Sequence, residues 1–181
     1  MIKRTLEYLT DELAFGLGIS DVHLDNLKKL QEDNSSGIVI SLLNVEEEHT
    51  LKNTPHFVRK NNQLIYKEPP VFLNLNILLA FEFGNYGTSL QRLEETVLFF
   101  QNKSWFISEK ARDENPFPPG VNKLILNLQQ LNFEHLNHIW SISGGTHFLS
   151  LLYKVRLVKI QPQDEVTGPE IDTIQLNSGL M

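Results

Sequence analysis

The chain's 181 residues include no cysteine. That absence closes off disulfide frameworks, thiolate zinc sites, iron–sulfur clusters and cysteine nucleophiles together. Nor is there a run of about 18 uninterrupted apolar residues, the length a membrane-crossing helix requires, so no membrane insertion is expected. Positive charge is in deficit: 16 Lys and Arg stand against 22 Asp and Glu, for a net charge of −6. A phosphate backbone is held by a basic surface that releases counterions, so nucleic acid is not an expected partner. In the N-terminal MIKRTLEYLTDEL, acidic and polar residues interrupt what would have to be the apolar core of a signal peptide, which predicts synthesis and folding in the cytoplasm. What is present is ordinary globular usage, 41% hydrophobic and 21% charged, in a length that suits one domain with a continuous core.

Hydrophobic spacing then divides the chain. Ile2, Leu6, Leu9, Leu13 and Leu17 recur at helical intervals and predict an amphipathic helix ending near Gly16 and Gly18. Ser20 and Asp21 could cap a second, short helix with Leu24, Leu27 and Leu30 on one stripe. Gly37 to Glu48 reads as a strand that starts apolar and turns acidic. The polar stretch from His49 to Glu68 predicts a projecting hairpin around Asn61 and Asn62.

Pro69 and Pro70 admit the most regular segment, PPVFLNLNILLAFEF. Val71, Leu73, Leu75, Ile77, Leu79, Phe81 and Phe83 fall on one face, and Asn74, Asn76 and Glu82 on the other with Phe72, Leu78 and Ala80, a period of two that only a strand explains. A helix through Leu90, Leu93, Val97 and Phe100, a proline-rich connection, a strand with Leu124, Leu126 and Leu128, a helix with Phe133, Leu136, Ile139 and Trp140, and a last strand LLYKVRLVKI follow. The expected fold class is α+β, a single mixed and mainly antiparallel sheet of about four main strands plus a hairpin, with helices packed on one face. Residues 1–160 form the domain and 161–181 a flexible tail.

Catalytic signals are weak. His135 and His138 lie three apart on a helix, the spacing of a ligand pair, but no H-E-x-x-H pattern and no third ligand accompany them. Ser143 and His147 flank a glycine pair without the G-x-S-x-G elbow. A small metal-dependent or Ser-His hydrolase built from these residues is therefore the alternative reading. Glu46, Glu47 and Glu48 alternate faces on a strand, so they do not converge as an acid–base pair and read instead as a solvated end that repels like edges. No metal and no other cofactor is expected.

Three longer stretches carry a resemblance: NVEEEHTLKNTPHF (Asn44 to Phe57), PPVFLNLNILLAFEFGNYGTSLQRLEETVLFFQNKSWF (Pro69 to Phe106) and LNFEHLNHIWSISGGTHFLSLLYKVRL (Leu131 to Leu157). In their order and spacing the chain resembles the N-terminal domain of the cap, or tube-terminator, proteins of extracellular contractile injection systems, as in the Photorhabdus virulence cassettes and the Serratia antifeeding prophage. It departs from them locally, with Phe148-Leu149-Ser150 where a leucine-proline-serine run is usual and Leu157 where methionine often stands.

The resemblance implies a phage tail-terminator-like fold and a non-enzymatic homohexamer. That ring would sit on the inner-tube protein, end tube growth and give the sheath protein a place to attach, being assembled in the bacterial cytoplasm and then carried at the particle's distal end. The polar hairpin bearing Lys52, Arg59, Lys60 and Lys67 is a candidate contact with a neighbour or the tube. The stretch Glu170 to Leu176, with Ile171, Ile174 and Leu176, is a candidate added strand. Among the motif residues, Trp140 and Tyr153 read as core anchors with bonded polar atoms, Gly144 and Gly145 as a helix stop, and Arg156 as an ion-pair donor at a buried edge or between subunits.

Overall fold

The computed structural model describes residues 1–28, 30, 36–48, 57–60, 63–67, 71–142, 145–160 and 165–168, with only the backbone at 57–60, 63–67, 142, 157–160 and 165–168. Helix α1 spans Ile2–Leu17 and stops where Gly18 takes the left-handed conformation (φ 64°). There the amide of Gly18 bonds Phe15 O and that of Ile19 bonds Ala14 O, satisfying carbonyls that the last turn leaves open. Strands β1 (Val22–Leu24), β2 (Gly37–Glu47), β3 (Phe57–Lys60), β4 (Gln63–Lys67) and β5 (Val71–Glu82) follow, then helix α2 (Tyr86–Asn102). Asn85 caps α2, its side-chain oxygen accepting from the amides of Gly87 and Thr88. Strand β6 (Trp105–Ile107), β7 (Lys123–Gln129), helix α3 (Phe133–Ile142), β8 (Leu149–Ile160) and β9 (Glu165–Gly168) complete the order.

The main sheet runs β1-β2-β5-β8-β7-β6, and β3-β4-β9 form a second, three-stranded sheet. β1 lies parallel to β2, while the β2–β5, β5–β8, β7–β8 and β6–β7 pairs are antiparallel. β5 is central because it is apolar on both faces, as a strand flanked by neighbours and covered on both sides must be. The α+β class and the mixed, mainly antiparallel sheet of four long strands with a separate hairpin match the expectation. The short helix expected after Ser20 does not start there: Val22–Leu24 pair with Ile38–Ile40 instead. Leu24 is drawn into that parallel ladder, while Leu27, in a turn, and Leu30, in helical conformation, are both buried beyond it.

The layering also differs from the single helical face expected. Leu75, Ile77, Leu79 and Phe81 of β5 face α1 and α2, packing with Leu6, Leu9, Leu13 and Phe100. Leu78 and Ala80 face the other way, into a smaller cluster with Val39, Leu27, Trp140 and Phe148. Helix α3 thus covers part of the second face, because Trp140 and Leu136 supply an apolar stripe for it. On the first face α1 and α2 approach closely: a Cβ built on Gly16 would run into the Phe99 ring. Within the segment expected to be a tail, residues 165–168 pair with β4 of their own chain, Lys67 opposite Glu165.

Candidate interaction surfaces

Beyond α3 the second face of the sheet is polar. Pairs of residues two apart on a strand share a face, and three such pairs line up across neighbouring strands: Glu46 and Glu48 at the end of β2, Asn74 and Asn76 on β5, Lys154 and Arg156 on β8. Lys154 Nζ donates to Glu46 Oε2 at 2.8 Å and Asn76 Nδ2 to Glu46 Oε1 at 2.7 Å. Asn74 Nδ2 and Arg156 Nη2 both donate to Glu48 Oε2, at 3.0 and 3.3 Å. Hydrogen bonds from Lys154 and Asn76 hold the Glu46 carboxyl below the usual range. This ladder was visible as E-x-E, N-x-N and K-x-R, but its partners are remote in sequence, and the acidic end read alone as merely solvated.

A second polar constellation is buried. Glu12, 3% exposed on α1, receives Lys103 Nζ at 2.7 Å, Arg112 Nε at 2.9 Å and Asn115 Nδ2 at 3.2 Å. Burial favours its neutral form, yet these three donors outweigh it and hold the carboxyl below its ordinary value. The group ties α1 to the proline-rich connection, whose Asn115 also donates to Tyr8 O at 3.1 Å. Beside it Lys103 Nζ sits 4.6 Å from the Phe106 ring centre, and Arg112 lies 3.7 Å over Phe15.

The same flank ends in the exposed Trp105 of β6, with Lys110 Nζ 5.1 Å and Lys123 Nζ 5.6 Å from its ring centre. A hollow of about 240 Å³ lies there, lined by Tyr8, Lys103, Trp105, Phe106 and Lys110 among others. It is smaller than the roughly 300 Å³ at which ligand pockets begin. Its Tyr8 hydroxyl, pushed up to about 12 chiefly by burial, stays protonated at neutral pH.

The residues singled out from sequence are dispersed. Trp140 is 4% exposed and stacks edge-on against Phe148 and His147, but its indole N–H finds no acceptor among the described residues. Tyr153 lies in the main core, its ring 4.9 Å from Phe100 and its hydroxyl pushed up to about 12 by burial. Gly145 has φ 84° and donates its amide to Trp140 O at 2.8 Å, turning the chain out of α3. Arg156 pairs with Glu48 within the chain. Arg59 and Lys60 belong to β3 and Lys67 to β4, while Lys52, Gly144, Ile171, Ile174 and Leu176 lie outside the described residues.

The alternative site does not come together among the described residues. Among the described residues no group of three His, Asp or Glu could hold a metal ion. The backbone amide of His135 donates to the Asn132 side chain, which caps α3, His147 lies against Trp140, and Ser143 is outside the described residues.

A six-stranded sheet with helices on both faces and an appended three-stranded sheet defines the class, and that fold recurs in two solved assemblies. Over 100% of its length the chain superposes (TM-score 0.66, 16% identity) on the sheath/tube terminator, in its extended state, of an extracellular contractile injection system, PVC. Over 86% it superposes (TM-score 0.58, 14% identity) on the tube-terminating cap of the anti-feeding prophage. It spans 65% and 53% of those two chains. No curated protein matches it. The family model of the Pvc16 N-terminal domain matches residues 3–173, and the chain belongs to that family.

Proposed function

We propose that the chain is a structural cap of a phage tail-like contractile injection system: a ring, of six copies, that ends the inner tube and seats the end of the sheath. The observation that carries this reading is the superposition of the whole chain on a sheath/tube terminator. Three structural features fit it. The polar constellations hold the molecule together without converging on a pocket. The ladder Glu46–Asn76–Lys154 stiffens a broad sheet face. The hairpin β3–β4 belongs to a second sheet, separate from the main one. Its Arg59, Lys60 and Lys67, with Lys52 earlier in the sequence, form the contact to a neighbouring copy or to the tube, and the segment with Ile171, Ile174 and Leu176 adds as a strand to the sheath or to a neighbouring subunit's edge. Assembly takes place in the cytoplasm and the ring ends at the particle's distal tip.

Deleting the chain should leave tubes of uncontrolled length, or sheaths lacking a closed end, in electron micrographs. Restoring it with Lys52, Arg59, Lys60 and Lys67 changed to Glu should leave the defect in place although the variant folds. Particles of normal length and normal ends in the deletion strain would remove the proposal.

A further inference from the structure

Strand β6 is the outermost of the main sheet on the β7 side. Ser104 O accepts from Leu126 N and Ser108 N donates to Asn122 O, so the backbone groups of every second residue along this stretch turn to β7. Those of Trp105 and Ile107 turn outward, and among the described residues they meet no backbone partner there.

The two faces beside this open edge differ. Trp105 and Ile107 share one face with Lys123, which stands opposite Ile107. On that face Lys110 and Lys123 both hold their ammonium groups against the exposed Trp105 ring, and neither meets a carboxylate among the described residues. Phe106 turns the other way, and beside it lies the hollow of about 240 Å³ that Tyr8 also lines. Too small for a free ligand, the hollow has room for one side chain. A strand laid on this edge must therefore alternate acidic, apolar, acidic.

Of the stretches outside the described residues, only Glu170-Ile171-Asp172 sets an aliphatic residue between two carboxylates. It follows β9, whose register puts Glu165 opposite Lys67 and Gly168 opposite Leu64, so β9 runs away from the end of β4 that leads into β5. Two residues reach at most about 7 Å, less than the roughly 10 Å that β9 covers. Glu170 cannot return even to the level of Glu165, which directs the segment to another copy.

We infer that the β6 edge of one copy receives Glu170–Asp172 of a neighbouring copy as an added strand, with Glu170 and Asp172 meeting Lys110 and Lys123 and Ile171 entering the hollow against Tyr8 and Phe106. Main-chain bonds to Trp105 and Ile107 hold the strand, and its alternating side chains select it. Two ammonium groups gathered at one ring repel each other, and carboxylates beside them offset that repulsion. Each copy gives a strand at one place and receives one at another, a head-to-tail contact of the kind that closes into rings. This inference rests on the ring reading and names the edge that joins its copies.

The test uses the full chain. One variant carries Lys110→Glu with Lys123→Glu, a second Glu170→Lys with Asp172→Lys, and a third all four changes. Circular dichroism confirms that each folds, and light scattering after size-exclusion chromatography counts the copies. Tryptophan emission reports the edge, because Trp105 is 44% exposed and Trp140 only 4%. Wild-type chain should assemble as its concentration rises, with the emission moving to the blue. Each two-site variant should need more than about tenfold higher concentration, since like charges would then face each other, and the four-site variant should recover. A peptide of residues 169–176 should shift the emission of the Glu170→Lys, Asp172→Lys variant and leave that of the Lys110→Glu, Lys123→Glu variant unchanged.

Assembly unaffected by Lys110→Glu with Lys123→Glu overturns the inference, as does a four-site variant that fails to recover or a peptide that shifts neither variant or both alike. A blue emission independent of concentration would put the strand on its own copy and overturn the joint, and a wild-type chain that stays monomeric at high concentration overturns it too. Rings that form whatever the charges remove this joint alone, while the deletion-strain particles judge the cap reading separately.

Discussion

The two faces of β5 are built by different rules. Under α1 and α2 the face is continuously apolar, and the charge next to it, Glu12, is buried and fully engaged by Lys103, Arg112 and Asn115. The other face is divided, apolar where Leu78 and Ala80 meet Trp140 and polar where Asn74 and Asn76 bridge Glu48 and Glu46 to the cations of β8. The first face stabilises the fold. The second satisfies its polar side chains through one another, Asn74 being only 4% exposed.

The contrast is broken most strongly in the first core. Leu79→Ala removes a side chain that is 0% exposed beneath two helices and should cost about 4 kcal/mol. Leu78→Ala, also 0% exposed, should cost nearer 2 kcal/mol because a single ten-residue helix can settle into the gap. Urea unfolding measures both, and a larger loss for Leu78→Ala would reverse the ranking of the faces.

Next comes Glu12→Gln, expected to cost about 3 kcal/mol, the low end for breaking a buried pair, because Lys103 and Arg112 can still reach water. Its folded carboxyl titrates below the ordinary 4.5, so its contribution is intact above that pH and is lost as pH falls through the folded value. Glu12→Gln should therefore flatten the acid limb of a stability–pH curve, and an unchanged limb would deny the carboxylate its role.

The smallest effect belongs to the ladder. Lys154→Ala faces a Glu46 side chain that is 42% exposed and should cost no more than about 1 kcal/mol, shrinking further in salt. A loss several times larger would mean that the open half of the second face carries as much of the fold as the closed half of the first.

Much of this was legible locally. The spacing of Leu6, Leu9 and Leu13, the alternation from Leu75 to Phe81, the prolines before β5 and the hairpin around residues 61–62 each describe a period or a turn that a few neighbouring residues decide. The interaction surfaces were half legible. E-x-E and K-x-R each announced a shared face, but nothing nearby said that β2 and β8 flank the same strand. Glu12 was not legible at all, since a glutamate on an amphipathic helix looks solvated until the chain brings Lys103 and Arg112 to it from about a hundred residues away.

By itself the sequence determined the elements, the α+β class and the chemistry it forgoes, because periodicity, turn residues and composition act through contacts along the chain. Tertiary structure alone decided that Val22–Leu24 become a strand, that α3 takes the second face and that Glu12 meets Lys103 and Arg112. Those outcomes depend on strand order, and strand order is set by burying both faces of β5 at once, a condition that no short window of residues can express.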